Sequence, residues 1–379
     1  MTGWFLRAAA VCGVALVMAA PALAAPAPDA VAAMLSAAVA ATGEATLAYD
    51  GVSGSGDTVT LTNVRFASTG TSGSVATVPA LVITGVAERQ PGGFTAASMT
   101  LDRGTATSRG DTTTWATASL EEVVVPSADE VKARAHVRPF HKAASAGIVF
   151  SGADVAAPIE VASASAEVGD VAANAPSNIL VKVTGIKLPA ALVTSSVAGA
   201  IVGMLDYKEV LVDATMDSEY DTTADTVTVH LLTLESSGIG KISIAAKASG
   251  LSLKGLTDPA KSKDARAAAR LDSLKVRLDN AGFVERLLDM QAQMLGGTRD
   301  DVRSQLVDGA LPFALSFVKN AAFRDQFKAA IAAFLQDPRS LTITFAPEKP
   351  VPLGQVVRTA ARSPTGLPDL LSPSVEVNN

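Results

Sequence analysis

Residues 208–251, KEVLVDATMDSEYDTTADTVTVHLLTLESSGIGKISIAAKASGL, decide the fold class. Val210, Val212, Ala214 and Met216 share one parity, and Asp213, Asp217, Glu219 and Asp221 the other, which is the period of two expected of a half-buried strand. A strand over 208–220 turns through Asp221-Thr222-Thr223-Ala224-Asp225 into a second over 226–235. Ser236-Ser237-Gly238 then leads into a third over 241–251. Connections this short force antiparallel neighbours.

The same period extends outward. Runs rich in Thr, Val and Ile at 57–66, 74–86, 94–108 and 114–125 alternate with Gly, Ser and Asp turns, and strands resume at 147–170, 178–188 and 274–278. One local form recurs at Leu61-Thr62-Asn63-Val64, Ile83-Thr84-Gly85-Val86, Val183-Thr184-Gly185-Ile186 and Leu253-Lys254-Gly255-Leu256. In each the apolar parity reverses at the Asn or Gly, as a bulge or strand bend requires. The repetition is compatible with two related halves in a curved sheet, and equally with chance recurrence of a common strand ending.

Helical text frames these strands. Asp29 is placed to cap an Ala-rich helix over 30–42 that Gly43 ends. A second helix is expected over 128–144, with Pro139 in its second half. Pro189 starts an apolar helix over 189–205. Its Gly199-Ala200-Ile201-Val202-Gly203 matches a membrane packing motif, but the segment is short for a bilayer and favours a helix buried on the sheet. Lys261 to Arg270 reads as a charged linker. Asn280 then opens a helix with Phe283, Leu287 and Met294 on one side. Thr298 with Asp301 caps another, bent at Pro312. A third, over 321–336, aligns Phe323, Phe327, Ile331 and Phe334. Leu341, Ile343 and Phe345 form a last strand before a Pro-rich, largely irregular tail.

The fold class expected is α+β: long curved antiparallel sheet, covering helices and a C-terminal helical segment. The organisation expected is a signal peptide over 1–25, a helix plus β region over 26–145, and a second β region over 146–278 holding the buried helix 189–205. A helical segment with the last strand follows over 279–345, then the tail over 346–379.

Residues 1–25 have the parts of an export signal: Arg7, an apolar run over 8–20, Pro21 and the small-x-small Ala22-Leu23-Ala24. The run is short for a spanning helix, so a chain cleaved after Ala24 or Ala25 and not anchored in a membrane is expected. Cys12, the only cysteine, lies inside the apolar run and too early for a lipoprotein signal. The cleaved chain therefore holds itself together without disulfides, outside the cytoplasm. Removing Arg7 changes 31 basic against 37 acidic residues to 30 against 37, or −7. Mild acidity argues against nucleic acid. Aromatic residues make up 4% of the chain, so the core is aliphatic and carbohydrate stacking is disfavoured.

Chemistry-bearing motifs are sparse. There is no Gly-x-Ser-x-Gly elbow, phosphate loop, dinucleotide fingerprint or His-Glu-x-x-His pattern, and no cofactor is implied. His230 sits within a strand, and His136 and His141 stand five apart, off a shared helical face. Lys132, Arg134, Arg138 and Lys142 surround them: a solvated helix face, or a contact for an anion or lipid headgroup. The acidic parity of Asp213, Asp217, Glu219 and Asp221 offers oxygen ligands but matches no calcium loop.

A resemblance rests on residues 180–379: Val183-Thr184-Gly185-Ile186, Leu205-Asp206-Tyr207, Tyr220-Asp221 and Leu278-Asp279-Asn280-Ala281-Gly282-Phe283. It continues through Phe334-Leu335, Pro338, Leu341-Thr342-Ile343-Thr344, Pro347 and Pro350-Val351-Pro352. This text resembles uncharacterised, signal-bearing β-rich envelope proteins of Gram-negative bacteria and, more loosely, AsmA-like and YdgA-like envelope proteins. The resemblance carries structural residues and no catalytic ones, and no clear N-terminal anchor helix accompanies it. The function expected is non-catalytic: a periplasmic envelope scaffold, or a binder of an apolar ligand such as a lipid, with lipid or an envelope protein as partner. The alternative is an exported hydrolase whose Ser or carboxylate site is assembled from distant segments.

Overall fold

The computed structural model describes residues 26–70, 73–133, 137–152, 155, 157–172, 175–189, 203–205, 207, 209–252 and 262–379. The expected signal peptide, most of the helix expected over 189–205, and Gly255 lie outside them. The chain divides into two compact units, up to Leu192 and from Val193.

The first unit opens with helix α1 (Pro28–Ala41), whose Val31, Ala32, Leu35 and Ala38 are buried. It begins two residues earlier than the expected residue 30: Pro28 occupies the first turn and no side chain caps the helix. Gly43, at φ +70°, follows its end as expected. Strands β1 (Ala45–Ala48) and β2 (Gly51–Ser55) both pair with β3 (Thr58–Ser68), which pairs with β4 (Val75–Thr84). β5 (Ala87–Glu88) folds back on β6 (Gly93–Thr100). β4 meets β6 at one end and β7 (Gly104–Ser108) at the other. β8 (Asp111–Trp115) and β9 (Thr117–Pro126) pair with β7 and β6 respectively and both meet β10 (Lys142–Ser151). β11 (Ile159–Val168) and β14 (Asn178–Pro189) complete the sheet, with a small β12 (Val171–Ala172) and β13 (Ala175–Pro176) hairpin between them. Among the described residues the pairings of this unit are antiparallel. β10 runs across the expected 145/146 boundary.

The expected helix over 128–144 is much shorter. α2 (Ala128–Lys132) has a capping box from Ser127 and Glu130, and residues 142–151 are strand. Its small and β-branched run Ala143-Ala144-Ser145-Ala146-Gly147-Ile148-Val149 joins the sheet, and tertiary pairing overrides the helical propensity of the alanines.

The parity reversals are real and carry positive φ: Asn63 +48°, Gly85 +64° and Gly185 +62°. Val59, Leu61 and Val64 are all buried, so the core-facing parity changes across Asn63. No residue is inserted. The register runs from Thr62↔Ala80 to Val64↔Val78 without a shift, so these are coordinated bends, not bulges. Interpolating the registers, one bend line crosses the unit through Asn63, Pro79, Arg103, Ala116, Gly147, Ala162 and Gly185. Every second residue on it is left-handed, with Arg103 at +56° and Gly147 at +62°. A β-carbon on Gly147 would stand 2.8 Å from Ala116 Cβ, and one on Gly185 2.7 Å from Ala162 Cβ, so close approach as well as φ demands glycine there.

α1 fills the core side of this sheet. Val31 and Leu35 pack with Leu61, Leu81, Ile83 and Phe94 in one aliphatic cluster.

The second unit is a meander: β15 (Glu209–Asp221), β16 (Thr226–Ser236), β17 (Gly240–Ser249), β18 (Arg270–Asn280) and β19 (Ser340–Phe345), each antiparallel to the next. True register shifts occur here, at Asp217/Ser218, Val229/Leu232 and Lys247/Ala248. Part of the expected linker is helix α3 (Ser262–Ala268), which buries Ala265. α4 (Phe283–Leu295) follows, with Asn280 Oδ1 accepting from the Val284 N–H at 3.0 Å. Leu288 and Ala292 are its buried residues, with Val284 packed against them, while of the expected Phe283, Leu287 and Met294 the first two are half-buried and Met294 is exposed. α5 (Arg299–Ser304) has the expected Thr298–Asp301 capping box. The bend ahead of Pro312 is a π-helical turn, Gln305–Ala310, leading into α6 (Leu311–Leu315). Widening the helix accommodates a residue that lacks an N–H and crowds the preceding turn. α7 (Ala321–Gln336) starts at an Asn320 cap, buries Phe334 and half-buries Phe323 and Phe327.

The tail is not irregular. β20 (Val351–Pro352) pairs with β18, α8 (Leu353–Arg362) and α9 (Leu367–Leu371) follow, and β21 (Pro373–Val377) pairs with β19. Pro352 precedes α8 and Pro368 lies in the first turn of α9, where a missing N–H costs nothing. These prolines start structure and do not interrupt it. Overall the described chain is mostly antiparallel sheet with helices packed on it, a more β-rich form of the expected class. None of its helices is long and apolar enough to cross a membrane.

Candidate functional site: an open aliphatic sheet face

Cross-strand register sorts the second unit's sheet into two chemically distinct faces. Directly opposed residues share a face. One row reads Ala214, Leu234, Ile242, Leu278, Leu341 and Val377. The next reads Met216, Leu232, Ile244, Val276, Ile343 and Val375. The opposite face carries Asp213, Glu235, Lys241 and Asp279 in one row and Thr215, Thr233, Ser243, Arg277 and Thr342 in the next.

The aliphatic face is covered only in part. At one end Leu274 and Phe345 pack with Leu353, Val356, Leu367 and Leu370, so α8 and α9 shield it there. α7 lies against β19 and β21, where Val375 is buried. Among the described residues the cover stops over β16 and β17. Leu234 and Ile242, directly opposed, are 49% and 43% exposed. Leu232, Ile244 and Met216 beside them are half-buried. Single exposed apolar residues are ordinary, whereas a contiguous exposed aliphatic patch marks a candidate contact face. The surface is wholly aliphatic and, at the usual strand spacing, about 10 Å wide from β15 to β17. It suits a flexible hydrocarbon better than a planar or polar solute.

The described basic residues singled out in the sequence differ in their surroundings. Arg138 is 11% exposed and bound to Glu122 at 3.0 Å, with Asp170 at 3.9 Å. Its Nη1 also lies 3.1 Å from His141 Nδ1. Lys132 is two-thirds exposed beside Asp129. Lys142 starts β10, and Arg134 and His136 lie outside the described residues.

The acidic strand face is likewise accounted for locally. Asp221 accepts from the Thr223 and Ala224 N–H groups, which hold its carboxyl below the usual range, and so fixes the β15–β16 turn. Glu219 meets His230 at 3.1 Å on the neighbouring strand. Among the described residues no group of three or more His, Asp, Glu or Cys is placed to hold a metal ion.

The aliphatic face was half legible. Its alternating residues stand out in the sequence, but which of them the helices leave uncovered depends on where α8 and α9 dock, and that segment reads as irregular. Ile201 lies outside the described residues, and Phe327 packs against Phe323 with ring centres 5.6 Å apart.

A family of uncharacterised proteins matches residues 233–378, which is less than half of the chain. That stretch runs from the end of β16 through β21, and so includes Leu234, Ile242 and the helices that partly cover their face. No curated protein matches the chain.

Proposed function

We propose that this chain is a non-catalytic, exported envelope protein that holds an aliphatic ligand, by chemistry a lipid acyl chain, on the open face of its second unit. The observation that carries this reading is the pair Leu234 and Ile242, directly opposed and nearly half exposed within two continuous aliphatic rows. Burying such a pair under a hydrocarbon chain contributes roughly 25 cal/mol for each Å² of apolar surface removed from water. The first unit acts as the scaffold: its equivalent apolar side is already filled by Val31 and Leu35 of α1.

The carboxylates support a non-catalytic role. The one held farthest from its ordinary value, Glu130 at about 2, is locked to Arg89 and Ser127, so it is not free to shuttle protons. Export follows from the sequence of residues 1–25, and the periplasm from the resemblance to Gram-negative envelope proteins.

The test is native mass spectrometry and lipid extraction on protein purified from its own envelope. Stoichiometric lipid that is lost in Ile242→Asp is the expected result. Leu211→Asp serves as the control, because Leu211 is 48% exposed but on the opposite parity. A folded protein without lipid, or lipid retained equally in both variants, sinks the reading.

A further inference from the structure

The bend line of the first unit carries a second site, unrelated to the aliphatic face. Its four left-handed positions are Asn63, Arg103, Gly147 and Gly185. Two are glycine, as sterics demand. Asn63 is tolerated, because a short polar side chain adapts to that conformation. Arg103 is the exception: a long β-carbon-bearing side chain where the backbone favours glycine.

Arg103 lies opposite Pro79, and Asn63 lies opposite the same proline from the other side. Arg65 is opposed by Thr77 two residues along. Asn63, Arg65, Thr77, Pro79 and Arg103 line one shallow open depression of roughly 400 Å³. All five are exposed. Among the described residues neither the Arg65 nor the Arg103 guanidinium has an ion pair or a hydrogen-bond partner, whereas those of Arg89, Arg138, Arg277, Arg299 and Arg339 do. Asp50 accepts from Asn63 Nδ2 at 2.9 Å, and Asp102, next to Arg103 in the chain, accepts from the Ala118 N–H at 3.2 Å.

We propose that this depression binds a phosphate-class oxyanion, held between the guanidinium groups of Arg65 and Arg103 with the Thr77 hydroxyl and Asn63 amide as neutral partners. A guanidinium presents paired N–H donors that match two oxygens of a phosphate, and two of them from adjacent sides supply charge and orientation together. In a chain with more acidic than basic residues, two unpaired arginines on one concave surface are a local reversal of sign. The placement of Arg103 on the bend line puts its side chain beside the proline floor.

The test titrates inorganic phosphate into the full chain by NMR, and separately measures flotation with neutral phosphatidylcholine vesicles and with vesicles doped with anionic lipid. The variants are Arg65→Gln, Arg103→Gly and, as a control, Arg109→Gly. Arg109 is also left-handed, at φ +52°, but sits in the β7–β8 turn away from the depression. Phosphate binding weakened by about tenfold or more in the first two and unchanged in the third is the expected result, given that a charge-assisted pair is lost. Arg103→Gly should fold as well as the parent, because relief of the left-handed strain offsets the added freedom of glycine in the unfolded chain. Flotation with anionic vesicles only, lost in the same two variants, identifies a lipid headgroup as the source. Binding of phosphate without flotation identifies a soluble anion. Absence of both in the parent chain, or binding indifferent to Arg65 and Arg103, overturns the proposal.

Discussion

Arg89 grips Glu130 through two hydrogen bonds, Nη1 to Oε2 at 2.7 Å and Nη2 to Oε1 at 2.8 Å, and both side chains are nearly buried. Oε2 also accepts from the Ser127 N–H and hydroxyl, each at 3.0 Å. The Arg89 bond, with help from Ser127, holds the Glu130 carboxyl at about 2 against an ordinary 4.5. A folded-state value below the unfolded one adds stability above the unfolded value and loses it as pH falls toward the folded one. We expect wild type to exceed Glu130→Gln by about 1–3 kcal/mol near neutrality, after allowance for partial screening. The gap should close between pH 4.5 and about 2. Urea unfolding across that range checks it, and a gap independent of pH would show that the pair contributes only packing.

The bend line predicts a graded cost for added β-carbons. Gly185→Ala must accept φ +62° and a contact of 2.7 Å with Ala162 Cβ, so a loss of about 1–3 kcal/mol is expected. Adding Ala162→Gly should recover the steric part and leave the backbone part. A thermal unfolding cycle over the two sites separates them. Strict additivity would mean that the two β-carbons never meet.

Local signals in the sequence made much of the fold legible. The parity reversal at Asn63, the Thr298–Asp301 cap and the turn at Asp221 are each written in a few adjacent residues. What was not legible depended on distant partners. Residues 142–144 read as the end of a helix, yet β9 and β11 claim them as strand. The prolines of the tail read as breakers, but Leu371 and Val375 are buried against β18 and β19, and that burial organises the segment. The depression around Pro79 had no signal of its own in the sequence. Arg65 and Arg103 stand far apart in the chain and meet only through the register of β3, β4 and β7.

Burial ranks the side chains for truncation. Leu61 is 0% exposed and sits against α1, so Leu61→Ala should cost about 2–5 kcal/mol. Met294 is 73% exposed at the end of α4, and Met294→Ala should stay within about 0.5 kcal/mol. Chemical denaturation of both variants is sufficient. Comparable losses at the two sites would contradict the core as drawn.

The last prediction concerns the edge of the second unit. β21 covers one side of β19 through five register pairs, from Leu341↔Val377 to Phe345↔Pro373. Val375, opposite Ile343, is 7% exposed, and Gln326 of α7 reaches the Val375 carbonyl at 3.4 Å. Deleting residues 373–379 would therefore uncover the N–H and C=O groups along β19 and leave α7 without its main neighbour. An uncovered strand edge beside aliphatic side chains is a template for self-association. We expect the truncated chain to lose cooperative unfolding of the second unit and to aggregate on warming. The first unit, whose core of Leu61, Phe94 and α1 draws nothing from β21, should keep its amide protection. Hydrogen exchange read segment by segment distinguishes the cases. Val375→Asp, which keeps the chain length and charges the buried position, should reproduce the same local loss. Unchanged protection of β19 in both variants would show that β21 rests on the sheet without holding it.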